Sequence, residues 1–127
     1  MILCSPYTRA VHTAAILSKE LGIDIAIETD LHEWPANRNY IYEDEETAER
    51  AYDEYVRYNG VHSSEDQEWE EAQSINERVI RVLLKYASNK KAIVACHGVM
   101  IQAVTSKLLP KNGEIVEFDL ESSSLDD

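Results

Sequence analysis

The sequence predicts an α/β domain, a three-layer sandwich with a mainly parallel sheet flanked by helices. Three observations carry that reading. Met1–Cys4 and Ala92–Cys96 are apolar without alternation, as strands buried on both faces are. Stretches of helical periodicity separate them. The resulting order of strand, helix, strand, helices, strand, helix, strand is the alternation that builds a parallel sheet.

Met1–Cys4 is the first strand. Ser5 is then a suitable N-cap and Pro6 a suitable first helical residue, and Ala10, Ala14, Leu17 and Leu21 recur at helical spacing until Gly22, so residues 6–21 are predicted helical. Ile23, Ile25 and Ile27 alternate with Asp24, Ala26 and Glu28, the period-two pattern of a second strand. Leu31–Trp34 reads as a loop closed by Pro35. From Glu43 to Glu71 acids dominate, with Arg50 and Arg57 opposing them. There Ala48, Ala51, Tyr52 and Tyr55 form the narrow apolar stripe of a helix ended by Asn59 and Gly60. A longer helix is predicted from Ser63 or Ser64, with Trp69, Ala72, Ile75, Val79, Leu83 and Tyr86 as its buried stripe. After the strand Ala92–Cys96, residues Val99–Leu109 resume helical character and Pro110–Gly113 reads as a turn. Ile115, Val116 and Phe118 suggest a last strand.

The chain has 127 residues, with 24 Asp and Glu against 12 Lys and Arg and a net charge of -12. That length suits one core, so residues 1–120 are expected to form a single domain, followed by an acidic, serine-rich tail at 121–127 with no reason to order. A chain this acidic has no Lys/Arg stripe to neutralise phosphates and is repelled by anionic membrane surfaces, so neither a nucleic-acid nor a membrane partner is expected. No apolar run approaches the ~20 residues of a membrane helix, and no signal peptide follows Met1, which points to the cytoplasm. Cys4 and Cys96 each close a strand, as reduced, partly buried thiols do.

Two strand exits carry chemistry: Cys4-Ser5-Pro6-Tyr7-Thr8-Arg9 and Cys96-His97-Gly98. In open α/β sheets ligands sit beyond the carboxyl ends of strands, where helix N-termini favour anions. A cysteine phosphatase cradle does not fit, because only four residues separate Cys4 from Arg9 and Pro6 removes an amide donor. His12, His32, His62 and His97 show no ligand spacing with the cysteines or carboxylates, so no metal and no cofactor is expected. Ser5 lacks the Gly-x-Ser-x-Gly setting of a serine nucleophile. Arg9, His97 and Glu33 remain: a planar fork of donors for phosphate, a histidine that can donate to or attack a phosphoryl group, and a carboxyl that can protonate a leaving alcohol. The competing readings are a salt-bridging helix arginine, a satisfied core histidine and an ordinary loop acid. Trp34 and Trp69 read as packing residues, and the acid-rich Glu43–Glu71 region as a solvated insertion over the mouth of the site.

Ser5-Pro6-Tyr7-Thr8-Arg9-Ala10, then Leu31-His32-Glu33-Trp34, then Val94-Ala95-Cys96-His97-Gly98, in that order and spread over most of the chain, resemble the histidine phosphatase superfamily, the phosphoglycerate mutase-like enzymes. The resemblance implies phosphomonoester hydrolysis or transfer through a phosphohistidine. It implies that Arg9 and His97 bind the phosphoryl oxygens, that Glu33 is the proton donor to the leaving group, and that Gly98 lets the backbone turn so that its N–H groups approach the anion. It also implies a departure. The Arg-His-Gly segment bearing the nucleophilic histidine occurs nowhere in these residues, so the fold is expected to be an N-terminally truncated phosphoglycerate mutase-like domain, inactive alone. His12 is expected to face solvent, and His32 and His62 to be exposed in loops. Three readings follow: a piece of a phosphohistidine enzyme, a pseudoenzyme that binds phosphomonoesters, inorganic phosphate or a partner, or an assembly protein whose open sheet edges make it a homodimer.

Overall fold

The computed structural model describes residues 1–105 and 109–120. The predicted tail at 121–127 and the end of the predicted helix at 106–108 lie outside the described residues. Three strands, β1 (Ile2–Cys4), β2 (Ile25–Ile27) and β3 (Ile93–Ala95), form a sheet in the order β2-β1-β3 with both pairings parallel. Among the described residues four α-helices accompany them: α1 (Thr8–Leu21), α2 (Glu45–Arg57), α3 (Ala72–Lys85) and α4 (Gly98–Thr105), with a 3-10 turn at Thr29–Leu31.

The registers Leu3 to Ala26 and Leu3 to Val94 put these three residues on one face, and Ile2 and Cys4 on the other. Both faces are covered. Leu3, Ala26 and Val94 belong to a cluster with Leu31, Tyr55, Trp69, Ile75, Val79, Val82 and Met100. Ile2, Cys4 and Ala95 pack on Ala10 and Ala14 of α1. Hence the layers are α1, sheet, and then α3 with α4 and α2, and the central strand is buried on both sides as its unalternated sequence implies. This is the predicted α/β class, with a phosphoglycerate mutase-like arrangement of helices about a parallel sheet.

Local signals hold in several places. Gly22 takes the left-handed conformation (φ 65°), and its N–H donates to the Ser18 carbonyl, closing α1. Asp44 caps α2 by accepting from the Thr47 N–H at 2.7 Å. Gly60 is doubly constrained, with φ 74° and a position where a Cβ would lie 2.5 Å from that of Ala72.

Other expectations are corrected. α1 begins at Thr8 rather than Pro6, and Ser5 does not cap it, because the Ser5 hydroxyl is engaged with His97. Leu21 ends its stripe 52% exposed. The long helix starts at Ala72, not at Ser63 or Ser64. The Gln67 side-chain oxygen accepts from the Ser63 and Ser64 N–H groups, the Arg38 N–H donates to the Glu68 carbonyl, and the Ala72 N–H donates to the Gly60 carbonyl, so the segment is tied down in a non-helical path. Trp69 still reaches the core, but from this loop. Among the described residues 115–118 form no strand: Ile115 is 89% exposed, so its alternation finds no apolar face to cover.

A buried ion pair joins this loop to α3. Arg78 Nε donates to Glu70 Oε2 at 2.9 Å and Nη2 to Oε1 at 2.8 Å, both side chains being 8% exposed, while Nη1 donates to the Asp30 carbonyl. Removing one member strands the other charge in the interior, so Arg78→Met is expected to cost about 3–5 kcal/mol in urea unfolding. Arg78→Met with Glu70→Leu should recover most of that loss. A single variant as stable as the parent contradicts the assignment.

Candidate functional site

The carboxyl ends of the three parallel strands lie side by side, and each exit delivers one polar side chain. Two bonds hold the exits in register: the Ser5 N–H donates to the Ala95 carbonyl at 2.9 Å, and the Glu28 N–H donates to the Cys4 carbonyl at 2.9 Å. The chain then turns through Thr29–Leu31 to present Glu33. Beyond β3, the His97 carbonyl accepts from the Ile101 N–H at 3.1 Å, the first intrahelical bond of α4. The first amides of α4 have no carbonyl within the helix to bond, and α4 begins one residue after His97.

His97 is buried, 7% exposed. Its Nε2 is 2.8 Å from Ser5 Oγ and its Nδ1 is 3.3 Å from Glu33 Oε2. A carboxylate beside Nδ1 favours the proton there, so Nε2 accepts from the Ser5 hydroxyl, while the Tyr7 N–H donates to the same oxygen at 3.3 Å. The Tyr7 ring meets the imidazole edge-on at 5.4 Å. Glu33 is anchored at its other oxygen, where Oε1 accepts from the Trp34 N–H at 3.2 Å. Arg9, in the first turn of α1, stands 3.9 Å from Glu33 Oε2 with its side chain 82% exposed. A contact of that length in water contributes little. The structure thus brings Arg9, Glu33 and His97 together, with most of the guanidinium in solvent and the histidine held inside.

Burial pushes the His97 pKa down, the Glu33 charge opposes this, and Arg9 pushes further down. The thiols are not activated. Burial raises the Cys4 pKa and takes that of Cys96 to about 11, so both stay protonated at neutral pH. Ser5, His97 and Glu33 are connected as a serine hydrolase triad is, but Ser5 has no exposed surface and cannot reach a substrate. Among the described residues, no three His, Cys, Asp or Glu side chains gather to hold a metal ion.

A Cβ at Gly98 would lie 3.1 Å from Leu109 Cδ1, a tight contact with the end of a flexible side chain. One expectation about these positions is corrected. His32 and His62 are not exposed. His32 is 8% exposed, with Nδ1 donating to the Glu33 carbonyl at 2.7 Å and Nε2 accepting from the Tyr40 hydroxyl at 3.1 Å, so it braces the loop that carries Glu33. His62 is half-buried, and its Nε2 donates to the Trp69 carbonyl at 2.6 Å. His12 is exposed on α1, as expected. Sequence reasoning missed Ser5 and Tyr7 as neighbours of His97. It also missed a cleft of about 360 Å³ that opens beside Glu33 and Gly98. The signal for Ser5 was its position at a strand exit, which also suits a helix cap.

The sequence model of the histidine phosphatase superfamily (branch 1) matches residues 1–125. No curated protein matches the chain. Among the described residues, no helix is long and apolar enough to cross a membrane.

His97 is expected to titrate below the ordinary imidazole value of about 6.5 when its ring protons are followed by NMR. Glu33→Gln removes the opposing charge and should lower the midpoint further, whereas Arg9→Gln should raise it. A midpoint that rises in Glu33→Gln would contradict this balance.

Proposed function

This chain belongs to the histidine phosphatase superfamily, and on that premise we propose that Arg9, His97 and Glu33 bind and handle the phosphoryl group of a phosphomonoester. The observation that carries the reading is the position of the Glu33 carboxylate, with Oε2 3.9 Å from the Arg9 guanidinium and 3.3 Å from His97 Nδ1. An anion is already accommodated between these two donors. A phosphoryl oxygen entering there replaces the carboxylate, takes the Arg9 fork in water's place and accepts from His97 Nδ1, while the amides of α4 add a positive dipole end. Glu33, once displaced, stays beside the site, and its carboxyl could pass a proton taken up from water to the leaving alcohol.

Activity in this family passes through a phosphohistidine, as the resemblance implies, and no Arg-His-Gly occurs in these 127 residues. We therefore infer that they bind phosphate without turning over phosphomonoesters by themselves, keeping only positioning and charge stabilisation. Inorganic phosphate should bind by calorimetry, and Arg9→Ala should weaken it about 10–100-fold, the loss of a charge-assisted pair of hydrogen bonds. Hydrolysis of p-nitrophenyl phosphate should stay near the uncatalysed rate. Robust turnover abolished by His97→Ala would overturn this reading and make His97 or another group the nucleophile.

A second reading rests on the sheet itself. With the order β2-β1-β3, the outer edges of β2 and β3 are unpaired among the described strands, and Ile27 and Ile93 are 58% and 38% exposed beside them. Parallel sheets with open apolar edges pair with other chains. A homodimer at micromolar concentration is the expected result in light scattering; a 14.5 kDa particle would overturn it.

A further inference from the structure

The cleft beside the phosphoryl group has a composition that selects a leaving group. It is lined by Glu33, which stands beside Arg9 and His97, and by Gly98, which follows His97, so it adjoins the site. One wall is aromatic, made by Trp34 and Tyr52. Their rings meet edge-to-face at 5.9 Å, and Tyr55 supports Trp34 from behind at 5.6 Å. The wall is set in place: Trp34 Nε1 donates to the Glu70 carbonyl at 2.9 Å, so the indole is anchored to the loop held by Arg78. The other wall is aliphatic, formed by Val99, Leu109 and Pro110, and Asn112 is the one additional polar side chain.

Among the described residues that line the cleft none is basic, and Glu33 is acidic. Tyr52 comes from α2, EETAERAYDEYVR, where five acids outnumber Arg50 and Arg57. A second anionic group on a substrate would meet the Glu33 carboxylate and no cation among those lining residues. A flat group would find the Trp34 and Tyr52 rings together with Val99, Leu109 and Pro110 along an open cleft of about 360 Å³.

We propose that this cleft receives the leaving group of the substrate, and that the substrate class is the monoester of an aromatic or similarly flat, uncharged alcohol, not a sugar phosphate or a polyphosphate. The proposal rests on the phosphoryl-binding reading above. In it Tyr52 and Leu109 determine specificity, and Arg9 and His97 hold the phosphoryl group.

Calorimetry on the full chain with inorganic phosphate, methylphosphonate, phenylphosphonate and methylenediphosphonate tests it. Phenylphosphonate is expected to bind about tenfold or more tighter than methylphosphonate, the gain from removing a ring from water, and methylenediphosphonate no tighter than methylphosphonate. Tyr52→Ala should reduce the phenyl preference to less than about threefold while leaving inorganic phosphate affinity unchanged. Leu109→Ser, at a half-exposed position, should also reduce the phenyl preference. Phosphate binding with equal affinity for the phenyl and methyl ligands overturns the leaving-group assignment and leaves the phosphoryl site standing. Phenylphosphonate binding that survives Arg9→Ala undiminished also overturns it, because the ring would then be held elsewhere. Failure of every ligand overturns both readings together.

Discussion

The Arg78–Glu70 ion pair is the constraint on which the rest depends. One guanidinium gathers three separate pieces of chain: the loop before α3 through Glu70, the turn after β2 through the Asp30 carbonyl, and α4 through Met100, whose Sδ lies 3.4 Å from Nη2. Glu70 extends the network, since its carbonyl accepts from Trp34 Nε1 and its N–H donates to the Pro35 carbonyl. The loop carrying Glu33 is therefore held at both ends, by Asp30 before it and by Trp34 and Pro35 after it. A buried ion pair contributes little net stability compared with an apolar replacement, because desolvation offsets its Coulomb attraction. What this one does is specify a position, and the position is that of a carboxylate beside His97.

The second organising feature is the parallel sheet. Three parallel strands put three exits at one end, where short bonds such as Ser5 N–H to Ala95 O align them within a few ångströms. The exits then differ in solvent access. His97 is enclosed and bonded by Ser5, and Arg9 stands in water. An enclosed imidazole keeps a fixed orientation, while an exposed guanidinium is free to close on an anion. The same asymmetry explains why burial dominates the His97 titration, with Glu33 only partly compensating.

Acidity has two roles here. Around α2 it keeps the surface solvated and sets a negative rim beside Tyr52. At the strand exits a single carboxylate, Glu33, stands between Arg9 and His97. Elsewhere acids tie elements together: Glu28 accepts from Lys85 Nζ at 2.8 Å and from the Tyr86 hydroxyl at 2.5 Å, which lowers its pKa and joins the exit of β2 to the end of α3.

Local order was legible wherever periodicity or a capping residue decides it. The unalternated runs marked β1 and β3, the spacing of Ala10 and Ala14 marked the buried side of α1, and Gly22 marked its end. The motif residues Arg9, Glu33, His97 and Gly98 were readable at strand exits, because a parallel sheet puts its exits at one end. The tertiary structure decided what depends on groups far apart in sequence. Ser5 looks like a helix cap until a histidine 92 residues away takes its hydroxyl. Residues 63–71 look helical until Gln67, Gly60 and Arg38 take their backbone groups. His32 looks like a loop histidine until Tyr40 and the Glu33 carbonyl enclose it, and 115–118 looks like a strand without a face to cover. The physical reason is the same in each case. A backbone pattern is set by neighbours one turn or one pleat away, whereas a polar side chain goes to whichever partner the folded core brings to it, and that partner is chosen by packing.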